Sequence, residues 1–122
     1  MRFSNFGVTE YDRVLSSPGA TLFSPLLQKT TYLIGMQGEV LHSWNLESQP
    51  GNYAYLLPNG NLLVAVLTPN GPSELNAKGG KILEINWNGD IIWEYCDDYQ
   101  HHDFRRYPTG NTIYLAWDLI PD

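Results

Sequence analysis

The sequence repeats itself with a period near fifty residues. Residues 32–45 (YLIGMQGEVLHSWN) align at an offset of 51 with the stretch that begins at Leu83 (LEINWNGDIIWEY). Residues 56–66 (LLPNGNLLVAV) align at an offset of 50 with residues 106–116 (RYPTGNTIYLA). A unit that recurs at this spacing is one supersecondary structure that buries its faces against its own copies. The repeat therefore limits the chain to a small set of modular folds.

Each half of the repeat has the chemistry of a β-hairpin. Two short runs, apolar or alternating, flank a two-residue turn that contains glycine. Glycine adopts the positive φ that tight hairpin turns need. The four turns are Gln37-Gly38, Asn59-Gly60, Asn88-Gly89 and Thr109-Gly110. Residues 31–117 show no sustained helical period, so this region is predicted to be all-β.

Four strands every fifty residues, with an aromatic residue near one strand end, are typical of antiparallel four-stranded β-propeller blades. The 122 residues supply about two blade equivalents. Two blades cannot close a ring, and blades need neighbours that cover their faces. We therefore expect either a part of a longer propeller or one protomer of an assembly. A small antiparallel sandwich with similar hairpins is the alternative fold.

Charge and composition exclude several classes of partner. Thirteen acidic residues face seven lysines and arginines, so the net charge is −6 and repels phosphate backbones and anionic lipid surfaces. We expect neither nucleic acid nor membrane as a partner. The chain as written shows no signal peptide, so it would be cytoplasmic as written, and its localisation is left unknown. Its one cysteine, Cys96, allows no intrachain disulfide and no cysteine-based metal site.

A cluster of titratable residues interrupts the repeat. Residues 101–106 read HHDFRR, whereas residues 51–56, which align with them, read GNYAYL. The surrounding Pro-x-Gly-Asn turns coincide in both units. A feature that the fold alone required would recur in both, so the cluster is interpreted as an addition that serves function.

The cluster has three interpretations from its residue types. A regular strand would place His101 and His102 on opposite sides, so the pair could ligate one metal only at a bulge or loop. Surface decoration of a strand is the second interpretation. The third, which we favour, is an anion-handling site in which histidine acts as nucleophile or proton shuttle, Asp103 orients it, and arginine binds a tetrahedral oxyanion. We expect no metal and no cofactor. The third histidine, His42, is interpreted as an ordinary strand position.

Three stretches of the sequence resemble the aryl-sulfate sulfotransferase (arylsulfotransferase) family. They are GNYAYLLPNGNLLVA, KILEINWNGDIIWEY and QHHDFRRYPTGNTIYLAW. Propellers of this family have six blades and carry a His-His-Asp-Phe stretch followed by a Pro-x-Gly-Asn turn. The resemblance implies the outer hairpin of one blade (31–45), a complete blade (52–95) and the inner hairpin of the next (102–117). Residues 1–30 are interpreted as an N-terminal extension with a short strand at residues 20–23. Residues 52–57 and 102–107 would be inner strands that line the central channel.

The resemblance also implies a reaction. It is the transfer of a sulfuryl group from a phenolic sulfate ester to a phenol, through a transiently sulfated histidine. The implied catalytic residues are His102, His101 and Arg105, and we favour His102 as nucleophile because it aligns with the inner strand. The implied substrate-binding residues are Asp103, Arg106, Asn52 and Tyr53.

Two other functions compete with this one. The chain could be a non-catalytic propeller module, or an inactive fragment, that binds partners through the loop at 68–80. It could also assemble as a homotrimer that completes a six-bladed ring and places three copies of the histidine pair around one channel.

Overall fold

The computed structural model describes residues 7–74, 77–118 and 120, without the side chain of Asn52. These residues form nine strands and no helix, which confirms the all-β prediction. No helix in this part of the chain could cross a membrane. The strands are β1 (Thr21–Phe23), β2 (Thr30–Ile34), β3 (Val40–Asn45), β4 (Pro50–Leu56), β5 (Leu62–Leu67), β6 (Gly80–Ile85), β7 (Ile91–Cys96), β8 (Gln100–Arg106) and β9 (Thr112–Ala116).

The strands form three antiparallel sheets that follow one another along the chain. The first sheet has the order β1-β2-β3, the second β4-β5-β6-β7 and the third β8-β9. Strand β1 lies in the segment that the sequence assigned to an N-terminal extension, and it pairs with β2 in the first sheet. No glycine turn joins β1 to β2, which is why the hairpin pattern did not include it.

Strand pairing reproduces the repeat at the level of single residues. Leu33 pairs with His42 and Glu84 pairs with Trp93, at the offset of 51, and a bulge follows each pair. The hairpins β4-β5 and β8-β9 match at the offset of 50, again with an irregularity at the same place in both. The two units therefore share their bulges as well as their turns.

Strand β5 is the centre of the core because both of its faces are buried. Its run LLVAV is apolar at every position, and residues 62–66 are at most 1% exposed. One face packs against the first sheet, in a cluster of Trp44, Leu46, Leu62, Val64, Val66, Leu83 and Ile85. The other face packs against the third sheet, in a cluster of Leu57, Leu63, Ala65, Ile82 and Phe104. Phe104 thus fixes β8, which carries the candidate site, against the second sheet.

Candidate functional site

The two histidines lie at a bulge in β8. His101 pairs with Leu115 and Phe104 pairs with Tyr114, so residues 102 and 103 have no partner across the ladder. His102 adopts a left-handed backbone with φ 49, and its N–H donates to the carbonyl oxygen of Ala77 at 3.1 Å. A regular strand would place the two imidazoles on opposite sides. The bulge interrupts this alternation and turns His102 toward His101.

The bulge brings the two imidazole rings into contact. His101 Nδ1 lies 2.8 Å from His102 Nδ1, and the rings are nearly perpendicular at 87°. His101 also stacks on Trp117 at 4.4 Å between ring centroids, whereas the His102 side is exposed. One Nδ1 must donate and the other must accept, so the neutral pair holds its two rings in opposite tautomers. The donating ring keeps a lone pair on its Nε2 atom.

Asp103 and Arg105 form a second, half-exposed group. Arg105 Nη1 lies 3.0 Å from Asp103 Oδ1, and the two side chains are 50% and 52% exposed. The Arg105 guanidinium also lies 4.5 Å from the ring centroid of Tyr53 and 5.3 Å from that of Tyr55. The aromatic rings hold the Arg105 guanidinium in place, and its exposed N–H groups can still donate to a bound anion.

Arg106 points into the packing between the second and third sheets. Its Nη2 lies 3.4 Å from Glu84 Oε2, with side chains only 16% and 10% exposed, and its guanidinium lies 4.4 Å from the Trp93 ring centroid. Glu84 also accepts a hydrogen bond from Asn61 Nδ2 at 2.7 Å. Arg106, predicted to bind substrate, therefore lies in a buried ion pair apart from the histidines.

We expect the two neighbouring arginines to differ in their effect on stability. Arg106→Ala leaves Glu84 without its cation and should lower the free energy of unfolding by about 3 kcal/mol. Arg105→Ala removes an exposed ion pair and should cost about 1 kcal/mol or less. Urea unfolding of both variants tests this contrast. Equal losses would contradict the different burial of the two guanidinium groups.

The seven predicted site residues thus fall into separate groups. His101 and His102 are together, Asp103, Arg105 and Tyr53 form the second group, and Arg106 lies in the interface between sheets. The side chain of Asn52 is outside the described residues. The prediction missed Trp117 and Tyr55, which contact His101 and Arg105. Trp117 carried a usable signal, because it aligns with Leu67 and so departs from the repeat as the histidines do.

An open cleft lies between the second and third sheets, beyond Arg106. It has a volume of about 410 Å³ and is lined by Trp93, Tyr95, Tyr114 and neighbours. The Tyr114 hydroxyl donates to Asp97 Oδ2 at 2.9 Å and lies 3.2 Å from that of Tyr95. The contact with Tyr95, burial and the bond to Asp97 raise the pKa of Tyr114 above its ordinary value. At neutral pH the Tyr114 hydroxyl therefore stays protonated, and it contributes a hydrogen bond but no negative charge to the cleft.

The described residues contain no cluster of three histidine, cysteine or acidic side chains that could hold a metal ion. Cys96 is exposed on β7. The bulge of β8 and the residues that follow it present imidazole, carboxylate and guanidinium groups.

Comparisons with known proteins do not assign a family. No protein-family model matches the sequence, and the searches of curated proteins and of solved structures gave no significant match. A functional proposal for this chain therefore depends on its residues and their geometry.

Proposed function

We propose that this chain is an arylsulfotransferase-like part of a β-propeller that transfers a sulfuryl group from a phenolic sulfate ester to a phenol. The observation that carries the proposal is the histidine pair, whose Nδ1 atoms lie 2.8 Å apart at an exposed bulge. The pair stands where the sequence departs from its own repeat, which argues that it serves chemistry.

The propeller architecture is supported by the order of the sheets. Three antiparallel sheets follow one another, and the second has four strands. Equivalent strands match at constant offsets, as they do in blades built from one repeating unit. In this proposal the second sheet is a blade, and the first and third sheets are parts of its two neighbours.

The exposure of the two rings suggests their roles. His101 is held between Trp117 and His102, which suits a residue that positions another. If His102 Nδ1–H donates to His101, then His102 Nε2 keeps its lone pair and faces solvent. His102 is therefore the proposed nucleophile and His101 its proton acceptor.

The first half-reaction follows from these roles. His102 Nε2 attacks the sulfur, the N–S bond forms, and the S–O bond to the aryl group breaks. The Nδ1 proton of His102 passes to His101 and then through solvent to the departing phenolate. In the second half-reaction, an acceptor phenol gives its proton to His101, its oxygen attacks the sulfur, and the N–S bond breaks. The Nδ1 proton then returns to His102, so both half-reactions balance.

Arg105 is the proposed clamp for the sulfuryl oxygens. The transferred group carries negative charge, and the net charge of −6 gives it no long-range attraction to the protein. A local guanidinium must supply that attraction, and Arg105 is the half-exposed arginine of the cluster. Tyr53, which lies under Arg105, is the aromatic side chain proposed to contact the phenolic ring.

Rapid mixing with 4-nitrophenyl sulfate tests the proposal. We expect a burst of about one equivalent of nitrophenolate per chain and a mass increase of one SO3 group, because the donor is consumed before an acceptor is present. Addition of phenol should remove the extra mass and yield phenyl sulfate. Absence of both burst and adduct would refute sulfuryl transfer by this chain. Calorimetric binding of the ester without release would instead favour the non-catalytic binding module.

A further inference from the structure

Strand β9 exposes an edge and a face that its counterpart in the repeat buries. At the offset of 50, β9 corresponds to β5, which pairs on its far side with β6. Within the described residues, β9 pairs only with β8. Ile113 and Leu115 are 55% and 51% exposed, whereas the equivalent residues of β5, Leu63 and Ala65, are at most 1% exposed. The β9 edge therefore lacks a partner that resembles β6.

The strand that resembles β6 is β2, and the short strand β1 covers its edge. β1 pairs with β2 through Leu22↔Leu33 and its two neighbouring pairs, in the same register in which β5 pairs with β6. β1 forms only three such pairs, whereas β5 and β6 form six. The sequence of β1, Thr-Leu-Phe, corresponds residue by residue to Thr-Ile-Tyr at the start of β9. β1 and β9 are thus two versions of one strand.

We propose that a second copy of this chain is the partner of the β9 edge. β9 of one copy pairs with β2 of the next and displaces β1, which gives a four-stranded sheet in the order β8-β9-β2-β3. Transfer of the β5-β6 register to this sheet predicts the pairs Thr112↔Ile34, Ile113↔Leu33 and Tyr114↔Tyr32.

The surfaces that this pairing would join are complementary. The cleft of about 410 Å³ between the second and third sheets is open where Trp93 and Tyr95 lie. The outer face of the first sheet offers a second, mainly apolar cleft of about 380 Å³, lined by Phe23, Tyr32, Ile34 and others. In the exchanged sheet, Tyr32 and Ile34 of the other copy would fill the cleft between the second and third sheets. Their equivalents in the second sheet, Leu83 and Ile85, already pack in this way against Trp44 of the first sheet.

Ile113 would also gain a buried place in the exchanged assembly. Leu22, its equivalent on β1, packs against the apolar cluster around Trp44. When β1 leaves, Ile113 of the other copy occupies the same register position. The exchange thus loses the three residue pairs between β1 and β2 and buries side chains that are now half exposed, which favours association.

A second copy of this chain fits the β9 edge because it carries β2, the counterpart of β6, under a β1 strand of only three residues. Within the described residues, each copy presents one β9 edge without a neighbouring strand and one β2 edge that β1 covers. Such a head-to-tail interface is heterologous, so it continues until the assembly closes. The inference does not depend on the sulfuryl chemistry, because mass and strand register can be measured without any sulfate ester.

Light scattering after size-exclusion chromatography of the 122-residue chain is the first test. We expect a closed species with an integral multiple of the 13.9 kDa chain mass, in an amount that rises with concentration. A chain that stays monomeric up to high micromolar concentration would overturn the proposal.

Disulfide cross-linking tests the register in a Cys96→Ser background. A mixture of the Ile113→Cys and Leu33→Cys variants should give a covalent dimer under mild oxidation, because these residues face each other in the predicted sheet. Leu41→Cys, at an exposed position of β3, is the control and should cross-link at least about tenfold less to Ile113→Cys. Equal cross-linking at positions 33 and 41 would overturn the proposed register.

A locked variant tests the displacement of β1. Cysteines in place of Leu22 and Leu33, which already face each other within one chain, should form an internal disulfide that holds β1 on β2. The oxidised protein should be monomeric, and reduction of the same sample should restore the assembly. If the oxidised form assembles as well as the reduced form, β1 does not have to leave and the proposal is wrong.

Discussion

Phe104→Ala is expected to lower the free energy of unfolding by about 3–5 kcal/mol, which is the usual cost of deleting a fully buried aromatic ring. Phe104 is 1% exposed and packs with Leu63 and Ile82 of the second sheet. It also contacts the rings of Tyr53 and Tyr55 at 5.6 and 5.9 Å between centroids. Phe104 is the residue through which β8 joins the apolar cluster of the second sheet, so the substitution should also loosen the histidine pair.

Phe23→Ala is the matched control for this prediction. Phe23 is the same residue type but is 41% exposed, on the edge strand β1. We expect a loss of about 1 kcal/mol or less. Both variants should be unfolded in urea at one low protein concentration, because association would add to the apparent stability. A loss at Phe104 no larger than that at Phe23 would contradict its role in attaching β8.

His102→Asn is expected to reduce the nitrophenolate burst by about a thousandfold or more, because the proposed nucleophile is removed. Asparagine tolerates a left-handed backbone, so the bulge should be retained. The free energy of unfolding should change by about 0.5 kcal/mol or less, as for an exposed position. The measurements are the burst amplitude, the SO3 adduct by mass spectrometry, and urea unfolding.

Two further histidine variants separate the possible roles. His101→Asn should still form the adduct, but more slowly, because His101 is proposed to accept the proton and not the sulfuryl group. His42→Asn should leave the burst unchanged, since His42 stacks on Trp87 at 3.9 Å in the packing between the first two sheets. Adduct formation that survives in His102→Asn and disappears in His101→Asn would reverse the two assignments.

The sequence was sufficient to predict the hairpins but not the arrangement of the site. Glycine turns and the internal repeat are local signals, and they predicted the hairpins that became β2-β3, β4-β5, β6-β7 and β8-β9. The different environments of Arg105 and Arg106 could not be predicted in the same way. They depend on the residues that each side of β8 contacts. Arg105 contacts β4, whereas Arg106 contacts β6 and β7, and β4 is distant from those two strands in the chain. The contact of the two histidines likewise depends on a bulge that periodicity does not reveal.

The left-handed backbone of His102 has a consequence for how this site can change over evolution. A residue with a side chain loses about 1–2 kcal/mol in this conformation relative to glycine, which adopts it freely. Selection for stability alone would therefore favour glycine at position 102. In the proposed function, the imidazole at position 102 supplies the nucleophile, which offsets this cost. The bulge would then be a place where stability and the proposed chemistry make opposite demands, and related chains without the proposed activity should drift toward glycine or asparagine at this position.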